Sequence, residues 1–229
     1  MIRDVFLDVD DTILDFGRAE REALASALSQ MGVGVTDARI QKYHEVNLAH
    51  WQMLERGEIT RERLLVRRFE KFFESVGVFA NAEKTQRVYE YELGRRSYFL
   101  EGAEALLETL RTEGYRIFLA SNGTTVVQAP RIKASGLDRI CHGIFLSEEI
   151  GCDKPQKEFF DACFSRIEDF SPENAIILGD SLSSDILGGK NAGIKTCWFN
   201  PKNKPLMGEI VPDFEISKLS DFLKILKNS

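Results

Sequence analysis

Short apolar runs alternate with longer amphipathic stretches along most of this 229-residue chain. An apolar run that ends in polar or acidic residues is typical of a buried strand, and the stretches between the runs have helical spacing. Strands separated by helices predict right-handed crossovers, so the expected fold class is α/β with a doubly wound parallel sheet. The predicted strands are 2–9, 115–120, 143–146, 175–179, 194–199 and 213–216.

One long segment, residues 16–99, breaks this alternation because it has helical periodicity and few strand signals. Threonines at helix starts and glycines at helix ends divide it into separate helices. We therefore predict an all-helical cap domain at 16–99, inserted into a Rossmann-like core domain formed by 1–15 and 100–229. The predicted cap helices are 18–31, 37–56, 61–76 and 81–97, and the predicted core helices are 102–112, 124–134, 157–167, 183–192 and 218–227.

Composition and charge argue against several classes of protein. The net charge is -6 and no block of Lys and Arg stands out, so a nucleic-acid polymer is not expected as a partner. The four cysteines form no CxxC pair, the N-terminus lacks the plan of a signal peptide, and no apolar run could span a bilayer. We predict a cytoplasmic monomer or homodimer that acts on a small molecule and does not bind membranes.

Two carboxylates, Asp8 and Asp10, lie two positions apart where the first predicted strand ends. If the backbone turns there, both can face one space, where one attacks phosphorus and the other gives and takes a proton. The alternative for this motif alone is an acidic loop that caps the next helix.

A second acidic cluster, Asp180 with Asp185, follows the predicted strand 175–179. Magnesium prefers hard oxygen ligands, usually one or two carboxylates together with water and a substrate phosphate. Asp180 can supply one carboxylate, and Asp185 can support a metal-bound water or a lysine. The alternative is that Asp180 or Ser181 is simply the N-cap of the next helix.

Two further segments fit an anion site. Ser121 and Asn122 end the strand 115–120, where a hydroxyl and exposed backbone N–H groups can cradle a phosphate. Lys154 precedes Pro155 at a predicted helix start and can neutralise phosphate charge. Alone, the first segment is a common turn and the second is a surface lysine, so the argument depends on their order relative to the two acidic clusters.

Taken together, Asp8-x-Asp10-x-Thr12, Ser121-Asn122, Lys154-Pro155 and Gly179-Asp180-x-x-x-x-Asp185 resemble the motifs of the haloacid dehalogenase (HAD) superfamily of phosphohydrolases. The resemblance covers the whole chain, including a helical cap inserted after the first strand, and the four motifs together are highly specific.

This resemblance implies a role for each motif residue. It implies that Asp8 is the nucleophile, that Asp10 is the general acid and then the base, and that Mg2+ is bound by Asp8, the Asp10 backbone carbonyl and Asp180. Ser121 and Lys154 would hold the phosphoryl group. The supporting residues would be Thr12, Asn122 and Asp185.

A narrower resemblance is carried by the segments 46–51, 57–60, 147–151, 184–189, 191–193 and 196–198. These segments resemble the YjjG-type pyrimidine 5'-nucleotidases, and the resemblance implies activity on dUMP, UMP and dTMP. Asn47, Trp51 and Arg68 are the candidate contacts to the base or sugar. The alternatives are a core aromatic for Trp51 and a solvated helix face for Arg68.

Four other functions remain open at this point. The first is a HAD phosphatase or mutase that acts on a sugar phosphate or another small phosphomonoester. The second is a 2-haloacid dehalogenase, which needs neither metal nor a second acid, so Asp10 and Asp180 argue against it. The third is a response-regulator receiver, whose phosphorylated Asp lies in mid-chain. The last is a non-catalytic phosphate-binding module.

Overall fold

Six parallel strands form one sheet in the computed structural model, which describes residues 1–206 and 208–228. The strand order is β3-β2-β1-β4-β5-β6, the order of a doubly wound Rossmann-like sheet, so the predicted fold class is confirmed. The strands are β1 (Asp4–Leu7), β2 (Arg116–Ser121), β3 (Gly143–Leu146), β4 (Ala175–Gly179), β5 (Lys195–Phe199) and β6 (Phe214–Ile216).

The central strand β1 explains where a ligand can bind. It is buried along its whole length and pairs with β2 on one side, Phe6 opposite Phe118, and with β4 on the other, Phe6 opposite Ile177. The chain runs outward from β1 through β2 to β3 and then returns to the other side of β1. The direction of winding thus reverses at β1, and the carboxyl ends of β1 and β4 form the crevice where such sheets bind ligands.

Helices cover both faces of the sheet. Because successive side chains of a strand point to opposite faces, Val5 and Leu7 belong to one apolar cluster, and Phe6 belongs to another with Phe118 and Phe160. The helices outside residues 16–94 are α5 (Ala103–Thr112), α6 (Thr125–Ser135), α7 (Ser147–Ile150), α8 (Lys157–Phe164), α9 (Leu187–Asn191) and α10 (Leu219–Asn228).

The four helices between β1 and α5, hereafter the helical layer, have an apolar cluster of their own. At its centre Tyr43, Phe69 and Tyr89 pack ring against ring, with centroids 4.9 to 5.5 Å apart. The side chains of Thr36 and Thr60 cap two of the helices, as expected from the sequence. The helices are α1 (Phe16–Gln30), α2 (Asp37–Glu55), α3 (Arg61–Val76) and α4 (Ala82–Gly94).

Several predicted boundaries were wrong, most of all for the helix 183–192. There the chain makes one wide π-helical turn, Leu182–Ile186, before α9 begins. The Ser181 carbonyl accepts from both Asp185 N at 3.0 Å and Ile186 N at 3.2 Å, so the first turn is wider than an α-helical turn. Ser181 is the N-cap of this turn, because its Oγ accepts from Ser184 N. The predicted strand 2–9 and helices 81–97 and 157–167 are shorter in the structure.

Two smaller expectations concern membranes and cysteines. Among residues 1–206 and 208–228, no helix combines the length and apolarity that crossing a membrane requires. All four cysteines are free thiols: Cys163 and Cys197 are buried, and Cys141 and Cys152 are half-buried.

Candidate active site

The carboxyl ends of three strands bring the predicted polar residues to one rim. Asp8 follows β1, Ser121 ends β2 and Asp180 follows β4. A backbone hydrogen bond of 2.9 Å from Asp8 N to Leu178 O keeps Asp8 beside β4. Together with Lys154, these residues line one cavity of about 220 Å³ between the sheet and the helical layer.

Lys154 is the buried cation of this rim, with only 1% of the residue exposed. Its Nζ donates to Asp8 Oδ1 at 2.7 Å, to Asp185 Oδ1 at 2.7 Å and to Ala120 O at 2.6 Å. All three ammonium hydrogens therefore have acceptors. Burial acts to lower the pKa of Lys154, but the charges of Asp185 and Asp8 outweigh it and raise that pKa, so the ammonium stays charged.

Asn122 fixes the backbone of Lys154 on both sides. Its Oδ1 accepts from Lys154 N at 2.9 Å, and its Nδ2 donates to Lys154 O at 2.8 Å and to Ser184 Oγ at 3.3 Å. The structure thus joins the second, third and fourth sequence motifs through one amide side chain.

Three carboxylates, those of Asp8, Asp180 and Asp185, have oxygens within 4.8 Å of one another. Burial, together with the charges of Asp185 and Asp10, raises the pKa of Asp8 to about 7, although the Lys154 ammonium acts to lower it. Burial, and then the charges of Asp8 and Asp185, raise the pKa of Asp180 well above its ordinary value. Crowded carboxylates of this kind gain most from a shared cation, and an all-oxygen donor set suits Mg2+. The residues present therefore fit magnesium.

Within this cluster, Asp185 differs from the other two carboxylates because both of its oxygens are already engaged. Oδ1 accepts from Lys154 Nζ, and Oδ2 accepts from Ser181 N at 3.1 Å. Its carboxylate lies directly against Gly179, where a Cβ would collide with it. Asp185 thus contacts both Lys154 and the backbone of Ser181, which leaves Asp8 and Asp180 as the carboxylates of this cluster that could hold a metal.

Asp10 lines the same cavity, and two side chains of α6 bind its carboxyl group. Gln128 Nε2 donates to Asp10 Oδ2 at 2.7 Å, and Arg131 Nη1 donates to Asp10 Oδ1 at 2.5 Å. Both oxygens of the Asp10 carboxylate are bound by α6, and Asp10 is not one of the three clustered carboxylates. Gln128 and Arg131 are not among the site residues predicted from the sequence. A polar pair three residues apart, on the helix that directly follows Ser-Asn-Gly, was the available signal.

Ser121 is oriented by two donors to its hydroxyl oxygen. Gly123 N donates to Ser121 Oγ at 3.1 Å and Gln128 Nε2 donates to it at 2.8 Å. Because both lone pairs are used, the hydroxyl hydrogen is free to donate to an anion in the cavity. Thr12 is fully buried, and its Oγ1 has no hydrogen-bond partner within the described part of the chain.

The three candidate substrate contacts, Asn47, Trp51 and Arg68, all line the cavity from the helical layer. Arg68 Nη1 donates to Asn47 Oδ1 and Arg68 Nη2 donates to Gln86 Oε1, both at 2.8 Å. Arg68 is 3% exposed, so the alternative of a solvated helix face is wrong. Trp51 is half-buried, so it is not a central core aromatic of the layer.

A polar chain continues from Asn47 across the helical layer. Asn47 Nδ2 donates to Glu20 Oε1 at 2.7 Å, and the other oxygen of Glu20 lies 2.7 Å from His44 Nδ1. The hydrogen bond to Glu20 raises the pKa of His44. These contacts fix the side chains that face the cavity, because each polar group is held by the next.

Two residues that the sequence did not single out connect the helical layer to the rim. Glu55 Oε2 accepts from Ser183 Oγ at 2.7 Å, and burial raises the pKa of Glu55. Arg61 donates to Asn122 O and to Ser147 Oγ, both at 2.6 Å, and forms an ion pair with Asp153. No motif identified them, since charged residues near helix ends are usually solvated.

Comparison with known proteins gives matches along nearly the whole chain. The family model described as haloacid dehalogenase-like hydrolase matches residues 2–193. The HAD-hydrolase YfnB of Bacillus subtilis is 37% identical over 98% of this chain and 95% of YfnB. A crystal structure of YfnB, described as bound to magnesium and as revealing interdomain movement, has a TM-score of 0.93 at 36% identity and 98% coverage of both chains.

Other relatives carry enzyme names. The pyrimidine 5'-nucleotidase PynA of Streptococcus pneumoniae is 34% identical, over 97% of this chain and 94% of PynA. The pyrimidine 5'-nucleotidase YjjG of Escherichia coli is 29% identical, over 97% and 96%. A glyceraldehyde 3-phosphate phosphatase of Pyrococcus abyssi is 28% identical, over 100% and 95%.

Proposed function

This chain belongs to the haloacid dehalogenase-like hydrolases and is a phosphatase, and from that premise we propose that it hydrolyses pyrimidine nucleoside 5'-monophosphates such as dUMP, UMP and dTMP. The observation that carries the proposal is the contact of Lys154 with Asp8 at the rim, beneath a cavity that the helical layer covers. Of the named relatives, both pyrimidine 5'-nucleotidases span nearly the whole chain.

In the first step, a carboxylate oxygen of Asp8 attacks phosphorus in line with the leaving nucleoside oxygen, which takes a proton from Asp10. Ser121 donates its free hydroxyl hydrogen to a phosphoryl oxygen, and Lys154 offsets the charge that develops there. Magnesium, when held by Asp8, the Asp10 carbonyl and Asp180, would supply further positive charge on the phosphoryl oxygens.

In the second step, water attacks the aspartyl-phosphate on Asp8 and gives its proton to Asp10. The same side chain is thus the acid in one step and the base in the next. The contact with Lys154 keeps the nucleophilic carboxylate oriented in both steps. The roles of nucleophile, general acid and metal ligand need carboxylates in different surroundings. Lys154 contacts Asp8, Gln128 contacts Asp10, and burial among other carboxylates raises the pKa of Asp180.

We extend the proposal to the domains. Residues 16–99 act as a cap over a core formed by 1–15 and 100–229, and opening of the cap admits the nucleotide. The interdomain movement described for YfnB supports such an opening here. Asn47, Trp51 and Arg68 would contact the base or sugar, because they line the cap side of the cavity. The cytoplasmic location and the choice between monomer and homodimer stay predictions.

A sugar phosphate is the second candidate substrate, because a glyceraldehyde 3-phosphate phosphatase is among the relatives. The lining favours a nucleotide over this candidate. Apolar side chains of Leu48, Leu65 and Leu93 share the cavity wall with Trp51, and a flat base can cover such a surface better than a polyhydroxylated sugar.

A substrate panel tests the proposal. Phosphate release is measured with dUMP, UMP and dTMP, with the matching purine monophosphates, and with a set of sugar phosphates, each with magnesium. We expect the highest kcat/KM with a pyrimidine nucleotide. A higher kcat/KM for a sugar phosphate contradicts the proposal and favours the second candidate.

A further inference from the structure

Two side chains of α6 bind the carboxyl group of Asp10, and neither has a role in the proposed mechanism so far. Arg131 Nη1 lies 2.5 Å from Asp10 Oδ1, and Gln128 Nε2 lies 2.7 Å from Oδ2. Each carboxyl oxygen thus has its own donor, which fixes both the position and the rotation of the carboxyl group. The Asp10 side chain is 28% exposed and that of Arg131 is 0% exposed, so the arginine contacts Asp10 from inside the protein.

The two donors also hold each other. Arg131 Nη1 donates to Gln128 Oε1 at 2.9 Å, which orients the amide so that its Nε2 faces Asp10 and Ser121. Gly123 lies so close to Gln128 that a Cβ there would collide with the amide. The start of α6 is held as well, because Glu148 Oε2 accepts from Thr125 N at 2.7 Å. The pair is therefore a rigid support.

Arg131 reaches a third element as well. Its Nε donates at 2.9 Å to the carbonyl of Arg96, in the segment that joins α4 to α5. Its Nη2 is buried and has no partner within the described residues. A fully buried cation with an unsatisfied N–H group is costly, and an apolar side chain of similar size would usually serve packing as well. The arrangement is explained if the guanidinium acts on Asp10.

We propose that Arg131 and Gln128 are positioning residues that hold the Asp10 carboxyl in the orientation from which it protonates the leaving group. This inference rests on the proposed phosphatase mechanism. As the bond from Asp8 to phosphorus forms, the bond from phosphorus to the leaving oxygen breaks. Its electron pair stays on that oxygen, which takes the Asp10 proton. Asp10 is left as a carboxylate, whose new charge faces the Arg131 guanidinium.

Two aryl phosphates that differ by one para nitro group test this role in the full-length enzyme with magnesium. Phenyl phosphate releases a strongly basic oxygen that needs a proton, and p-nitrophenyl phosphate releases a weakly basic oxygen that does not. The kcat/KM of each covers the steps through release of the leaving group and excludes hydrolysis of the phosphoenzyme. In the ratio of the two values, any loss of kcat/KM that affects both esters equally cancels. This includes a loss that follows from disturbing Ser121, which Gln128 also contacts.

In the variants Arg131→Met and Gln128→Met, we expect kcat/KM for phenyl phosphate to fall about 10-fold or more relative to p-nitrophenyl phosphate, because general acid catalysis is impaired. Arg131→Lys retains the positive charge and should restore part of the ratio. If Arg131→Met does not fold, the ratio of kcat/KM in Arg131→Lys and Gln128→Met still tests the positioning role.

Arg116→Met is the matched control. Arg116 also binds both oxygens of a buried aspartate, Asp4, at 2.5 and 2.8 Å, but at the amino ends of β1 and β2, the opposite end of the sheet from Asp10. We expect Arg116→Met to lower stability and to leave the ratio of kcat/KM for the two esters unchanged. An unchanged ratio in the Arg131 and Gln128 variants overturns the positioning role. A wild-type enzyme that hydrolyses neither these esters nor any pyrimidine nucleotide overturns the proposed function, and this inference with it.

Discussion

The rim of the sheet and the helical layer both direct buried polar side chains into one cavity, but they hold them in different ways. At the rim, Lys154 is fixed by groups from three distant segments, including the backbone oxygen of Ala120. In the helical layer, Arg68 is held chiefly by the side chains of Asn47 and Gln86. Groups anchored by the sheet backbone keep a strict geometry, which phosphoryl transfer requires.

This difference suggests a division of labour. We infer that the chemistry depends on the rim, where carboxylates and one lysine are fixed by the sheet. We infer that selectivity depends on the layer, where substitution alters the shape and polarity of the wall without moving the reacting groups. Substitutions at the rim should therefore affect every substrate alike, and substitutions in the layer should affect only substrates large enough to reach it.

The largest expected effect comes from Asp8→Asn. The amide nearly preserves the shape of the carboxylate but cannot form the acyl-phosphate, so kcat for every substrate should fall about 10⁴-fold or more. Thermal unfolding should show that the variant is folded. Asp11→Asn, in the same loop, is the control and should retain most activity, since asparagine tolerates the positive φ of 56° at this position. Normal turnover by Asp8→Asn refutes the account of the rim.

Removal of the metal should have the next largest effect. Treatment with a chelator should abolish phosphate release from all substrates, and added magnesium should restore it, because the crowded carboxylates need a cation. Asp180→Asn should raise the magnesium concentration needed for half-maximal activity about 10-fold or more. Full activity in metal-free buffer would contradict the assignment of Asp8 and Asp180.

Substitution of Arg68 tests whether the helical layer controls selectivity between substrates. Arg68→Met should lower kcat/KM for the preferred nucleotide about 10- to 100-fold, and should change that for a small alkyl phosphate by less than about 3-fold. Arg63→Met is the control, because Arg63 pairs with Glu70 on the exposed side of the same helix. Equal losses for both substrates would show that the layer also affects the chemistry.

The smallest effect concerns stability. Because the pKa of His44 is raised in the folded state, the pair with Glu20 stabilises the protein fully below the unfolded pKa of about 6.5, and this contribution is lost as pH rises through the folded pKa. The half-exposed ring limits it to less than about 1 kcal/mol. The free energies of unfolding in urea of wild type and His44→Gln should therefore differ at low pH and converge at higher pH. A difference in free energy that does not change with pH would contradict this contribution of the pair.

The sequence predicts the motifs at the strand ends better than the contacts between distant segments. The fold class and the HAD resemblance are confirmed, because strand ends are marked by apolar runs and the motifs follow them directly. Gln128 and Arg131 were missed, since a polar pair on a helix usually faces water. Arg61 and Glu55 were missed because their partners come from segments far away in the chain. Contacts between distant segments leave no local pattern.

In the proposed mechanism, Asp8 carries the phosphoryl group during turnover. Asp10→Asn protein is mixed with p-nitrophenyl phosphate and magnesium, quenched in acid and mapped by mass spectrometry. Because this leaving group needs no proton but water still needs a base, we expect one equivalent of nitrophenol per enzyme and a phosphoryl group on Asp8. A phosphoryl group on another residue, or steady turnover with no phosphorylated peptide, would contradict the claim.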